Sequence, residues 1–194
     1  MYNKKINACL TDSMRDLLLS LKGKTLKYIE CVPLNGCLLE NNRVFESVRI
    51  NIGKSSIDIT NKIHPIPQTE EEEKSNDLVM EYGWFECFFR EKNEGYLSPI
   101  LTQRPVKYLI NEKINDVIIV SDEITSKDGY GENADRAILI RTAEKLYSFI
   151  RNVYWEDSIY IRIGDSIEGL PSEKEISEQF GDVKLSVKRS FIFL

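Results

Sequence analysis

Alternating apolar and polar residues, set down twice in the same order, constrain this chain more than any other feature. With a shift of 88 positions, Leu21 falls on Leu109, Leu26 on Ile114, Ile29 on Val117 and Val32 on Val120. One or two inserted residues later, Val48 and Ile50 fall on Ile138 and Ile140, and Ile59-Thr60-Asn61 falls near Ile150-Arg151-Asn152. At a shift of 105, Asp77-Leu78 meets Asp182-Val183, and Met80 and Tyr82 meet Leu185 and Val187. Identities between the halves are few, and alternation alone can bring two strand-rich segments into line. Each half is too short to bury both faces of its own sheet, so the two are expected to share one core.

The expected fold class is therefore α+β, predominantly antiparallel β. Two similar β-rich halves pack as a sandwich or barrel, with an N-terminal helix and a short helix near the C-terminus. The chain reads as a single compact domain over 1–194, with a first half at 21–92 and a second at 105–194. KNEGYLSPILTQRP connects them.

Within that frame, Leu10, Met14, Leu17, Leu18 and Leu21 make one face of a helix over 10–22. Thr11, Asp12 or Ser13 can cap it, and Gly23 stops it. LKYIECV, SVRINIG and SIDITN alternate as strands, with GKSS as the hairpin turn between the last two. HPIPQTEEEEKSND reads as a solvated connection, DLVMEYGWFECFFRE as a strand, and PLNGCLLENNRVFE (33–46) as a long loop. In the second half NDVIIVSDEI is a strand and SDEITSKDGYGENADR (121–136) a loop. DRAILIRT and KLYSFIRNVYW form a hairpin, although Leu146, Tyr147, Phe149 and Ile150 also fit a helical face. DSIYIRI and DVKLSVKRSFIFL are strands. Between them Ser172 and Glu175 have the spacing of a capping box, and Gly181 ends that short helix.

Chemistry is limited by counts. A single histidine, His64, removes histidine triads, two-histidine metal helices and histidine zinc sites. In KIHPIP it reads as a loop residue. There is no Walker loop, GxGxxG or GxSxG, and Glu72-Glu73-Lys74 lies outside any strand that would make it a nuclease motif. Cys9, Cys31, Cys37 and Cys87 match neither zinc spacing nor a disulfide framework, and Cys31 and Cys87 read as small core residues. Net charge is −5 and the pI about 5.2, so the basic footprint of nucleic-acid binding is missing. No apolar run approaches a membrane span, and Asp12 and Asp16 break any leader-like core. No cofactor is implied, and a cytoplasmic location is the expectation.

The acid-rich loop 121–136 and the long loop 33–46, which would project from related positions, are with exposed aromatics the candidate contact surface, with Asp122, Glu123, Asp128, Tyr130, Glu132 and Asp135 as the partner-binding residues. Tyr130, between two glycines, has no strand or helix face to bury it. Calcium is the other chemistry such a loop can support, but the spacing is not that of an EF-hand. Trp84 and Trp155 read as core residues. The expected function is a non-catalytic binding protein, an acidic immunity-type or inhibitor protein that neutralises a protein partner, a basic one by charge. The alternative is a carboxylate-based enzyme or small-ligand binder, using pairs such as Glu86 with Glu91 or Asp157 with Asp165.

Overall fold

The computed structural model describes residues 5–33, 41–65, 81–91, 104–127, 129, 131–151, 158–172, 174–176 and 185–194. Eleven strands account for most of them. In the first half these are β1 (Lys5–Ala8), β2 (Thr25–Pro33), β3 (Asn41–Asn51), β4 (Ser56–Pro65) and β5 (Glu81–Arg90). Then follow β6 (Val106–Lys113), β7 (Asp116–Ser126), β8 (Gly131–Arg141), β9 (Leu146–Arg151), β10 (Ser158–Gly164) and β11 (Leu185–Phe193). Helix α1 spans Asp12–Leu19, and Thr11 caps it by accepting the Met14 N–H. Gly23 leaves the helical turn with φ +82 and donates its N–H to the Ile114 carbonyl, a conformation for which glycine carries no Cβ penalty. No described helix is long and apolar enough to cross a membrane.

Two antiparallel sheets result, and their strand orders correspond. One runs β6-β2-β3-β4-β5 and the other β11-β7-β8-β9-β10. Each is a four-stranded meander whose fifth strand returns to the edge beside the first. Registers agree as well. Ile29 faces Ile50 where Val117 faces Ile140, and Val48 faces Ile59 where Ile138 faces Phe149. The same four-residue turn closes both central hairpins: Ile52 N–H donates to Ser55 O at 3.0 Å, and Thr142 N–H to Lys145 O at 2.9 Å. Both first ladders also slip near the same place, between Cys31 and Pro33 and between Val120 and Ser121.

Two differences from the sequence reading follow. β11 lies beside β7 as β6 lies beside β2, so the counterpart of β5 is β10 and the alignment at a shift of 105 does not hold. The described strands also leave β5, β6 and β11 each paired on one side only, so no barrel closes. The sheets join through one strand pairing, and the N-terminal strand adds to the second sheet. Residues 41–45 of β3 pair with β10, and β1 adds in parallel to residues 131–134 of β8.

The alternation that builds the strands also fills the interior. Leu26, Ile29, Val48, Ile50, Ile57, Ile59 and Phe85 of the first sheet share one buried cluster with residues of the second. Those include Val117, Ile119, Ile138, Ile140, Phe149, Ile159 and Ile161. Leu10, Leu18 and Leu21 add the apolar face of α1 to the same cluster. The outer faces differ between sheets. Across the first runs a charged row, Lys107, Glu30, Arg49 and Asp58, each opposite the next. The matching row of the second sheet is Phe193, Ile118, Leu139 and Ser148, and Ile167 and Leu170 pack beside it.

Cys31 and Cys87 lie in the interior, and burial pushes both thiols up to about 12; Glu30 adds to the first and Asp135 to the second. They are therefore protonated and unreactive at pH 8. Iodoacetamide is expected to label them only after denaturation, as peptide mapping would show. The folded values lie above the ordinary thiol value of 9.0. This contribution to stability is thus whole below pH 9.0 and is lost as pH rises from there toward 12.

Candidate functional site

The acid-rich segment singled out in the sequence is not a solvated loop. β7 runs to Ser126 and β8 begins at Gly131, leaving residues 127–130 as the connection. Asp128 and Tyr130 lie outside the described residues. Glu123 is exposed on β7, opposite Lys188 of β11. Asp122, Glu132 and Asp135 are buried, with Asp135 at 0% exposure.

Arginines explain how three carboxylates can enter the interior. Val120 faces Ala137 but Ser121 faces Asp135, so Arg136 is the extra residue of a β-bulge. There its Nε donates to Asp122 at 3.3 Å and its Nη2 to Glu132. On the opposite side of Asp122, Arg189 of β11 donates from Nε at 2.7 Å and from Nη2 at 2.8 Å. Two acids and two cations thus balance, as a buried ionic group requires. Asp135 has another task. It accepts the Leu10 N–H at 2.7 Å and lies 3.4 Å from Nη2 of Arg15 on α1, tying the N-terminal segment to β8. These acids are structural, and they are not available as a contact surface.

Other carboxylates are likewise engaged with cations. Arg49 and Arg90 both donate to Asp58, and Lys107 lies 3.6 Å from Glu30. Glu86, one member of a suggested catalytic pair, lies 3.1 Å from Lys62 and 3.4 Å from His64 Nε2. Asp157 of the second pair is outside the described residues. His64 belongs to strand β4 rather than to a loop, and its ring stacks on Trp84 with centroids 3.8 Å apart. Trp84 is half-buried against Ile6, Ala8 and Ala134; Trp155 is outside the described residues. Among the described residues, no group of three or more His, Cys, Asp or Glu side chains is placed to hold a metal ion.

Among the described strands β5, β6 and β11 each pair on one side only, and β11 does so with β7. Its ladder runs without a register break from Leu185 to Phe193. Leu194 N–H donates to Val117 O, so Ser186, Lys188, Ser190 and Ile192 turn their backbone groups toward β7. By the alternation of an antiparallel ladder, Val187, Arg189, Phe191 and Phe193 turn theirs away. Phe191 and Phe193 are 45% and 69% exposed, on the outer face beside Val120 and Ile118. The equivalent edge, β6, is guarded. Asn111 sits at φ +68 where the β2–β6 register slips, and it accepts a hydrogen bond from Lys27. Lys107 and Lys113 are exposed along it. A bulge with lysines is a common means of discouraging strand addition. β11 carries no bulge.

A signal for this edge was present in the sequence. SFIFL is apolar on both faces of its alternation, where a solvated edge strand needs only one such face. No protein-family model, curated protein or solved structure matches the chain.

Proposed function

We propose that the chain is a non-catalytic binding protein that captures another protein and neutralises it, in the manner of an immunity or inhibitor protein. The carrying observation is the edge of β11, which pairs with β7 alone among the described strands and has Phe191 and Phe193 exposed beside it. A long, flat edge with aromatic neighbours is a ready template for another chain. We read the body behind it as a two-sheet sandwich around the shared interior, rigid enough to present that edge without rearrangement. The free thiols of Cys9, Cys31 and Cys87 suit the cytoplasm.

The alternative, a carboxylate enzyme, has less support. Catalytic acids need environments that set two of them apart for proton transfer, and the described buried acids face cations instead. Net charge of −5 favours a basic partner at long range, but the edge itself carries Lys188 and Arg189. Local contact chemistry decides what docks.

The test is affinity capture from native extract, with the recovered protein identified by mass and then assayed with and without this chain. A stoichiometric complex that suppresses the partner's activity is the expected result. Recovery of no partner, or a partner whose activity is unchanged, would count against neutralisation.

A further inference from the structure

We infer that the free edge of β11 is a strand-acceptor site for an extended segment of the partner, apolar at two alternate positions and carboxylate-bearing just beyond them. This rests on the binding reading above and adds where the partner docks and what it presents there.

Three observations support it. The outward backbone groups of Val187, Arg189, Phe191 and Phe193 form an unbroken donor and acceptor row that one added antiparallel strand can satisfy. Phe191 and Phe193 flank that row on the outer face, where apolar side chains of an added strand would lie directly across from them. The exposed charge of the strand is cationic. Lys188 stands at the surface, and Arg189 spends Nε and Nη2 on Asp122.

The fold also holds a template for the matching sequence. On its occupied side β11 meets Ile118 opposite Phe193, Val120 opposite Phe191, Asp122 opposite Arg189 and Glu123 opposite Lys188. Two alternate apolar residues followed by two acids are what β11 already accepts from β7. A second copy of this chain fits less well, because residues 185–194 carry no acid to set across from the exposed Lys188.

The probe is a synthetic peptide, VIIVSDEI, copying residues 117–124, added to the intact protein and followed by amide hydrogen exchange. In the free protein the amides of Lys188, Ser190 and Ile192 should be protected and those of Arg189, Phe191 and Phe193 should exchange quickly. Peptide should protect the second set, and its affinity should fall at least about tenfold when both acids are replaced by lysine. Phe191→Pro removes an outward N–H and leaves the bonds to β7 intact. It should abolish peptide binding while the other amides keep their protection. Should that variant fail to fold, Phe191→Lys with Phe193→Lys, both at exposed positions, serves in its place.

Absence of binding, protection elsewhere, or equal binding of the acidic and lysine peptides overturns the inference. Protection of the odd-numbered amides that grows with protein concentration alone would assign the edge to a second copy and overturns it equally. If Phe191→Pro still captures the partner from extract, the binding function stands and only this docking site falls. If the peptide docks as stated but extract yields no partner, the site stands and the neutralising function falls.

Discussion

Replacing Asp122 with alanine should cost the folded state about 3–5 kcal/mol, the range for removing one member of a buried ionic group. Arg136 is 1% exposed and would lose its Asp122 bond while keeping the one to Glu132. Arg189 would lose both bonds that fasten β11 to β7 from the side-chain layer. Chemical denaturation followed by far-UV circular dichroism would measure the loss. Exchange at the β11 amides should rise more than exchange in β2–β5, because the damage is local to the strand that Asp122 holds. A contact-surface acid would behave otherwise, since alanine at an exposed position usually changes stability by less than about 0.5 kcal/mol. The magnitude therefore separates a structural Asp122 from a partner-binding one.

Asp135→Ala should release the N-terminal segment. The lost bond to Leu10 N–H is charge-assisted and buried, worth about 1.5–3 kcal/mol. Arg15, partly exposed, adds little. A second readout distinguishes lost charge from general loosening. The Cys9 thiol is raised above its ordinary value by burial first and by the Asp135 charge second. Asp135→Asn should keep much of the packing, lower that thiol's pKa and speed its reaction with a disulfide reagent near pH 8. Unchanged reactivity in the asparagine variant would mean that Asp135 is not ionised beside Cys9.

The sequence made much of this legible because period-two alternation survives wherever one strand face meets the core. LKYIECV and SIDITN lie in β2 and β4, and most of SVRINIG and NDVIIVSDEI in β3 and β7. The matches of Ile29 with Val117 and of Val48 and Ile50 with Ile138 and Ile140 coincide with the ladder registers. Ile59, however, corresponds to Phe149 rather than Ile150, and Leu21 precedes β2 while Leu109 lies in β6. β6 was missed for a physical reason. Half of its positions face water, and one of its apolar residues, Leu109, is 78% exposed. β1 has only four residues and is parallel, so it had no hairpin partner to betray it. β3 begins at Asn41, within what reads as a loop, because Asn-Asn-Arg is poor strand sequence that pairing with β10 overrides.

The acidic stretch misled for a different reason. Residue type assigns acids to the surface, while the cation that neutralises Asp122 from β11 lies 67 positions away. Burial of that kind is set by pairing across the fold, which local pattern does not carry. The same blindness concealed the β11 edge. SFIFL announces an apolar strand but not which side remains unpaired.

Both the presented edge and the buried acids depend on two sheets sharing a single interior. Ile50 and Ile140 occupy matching places in the two sheets and belong to the same buried cluster. Alanine at either should cost about 2–5 kcal/mol. Thermal unfolding of the wild type, Ile50→Ala and Ile140→Ala by calorimetry, with amide exchange resolved for each sheet, is the most direct test. One transition should appear in all three proteins, lowered by either substitution and equally for amides of both sheets. Two transitions, with each substitution moving only the one that belongs to its own sheet, would contradict the account.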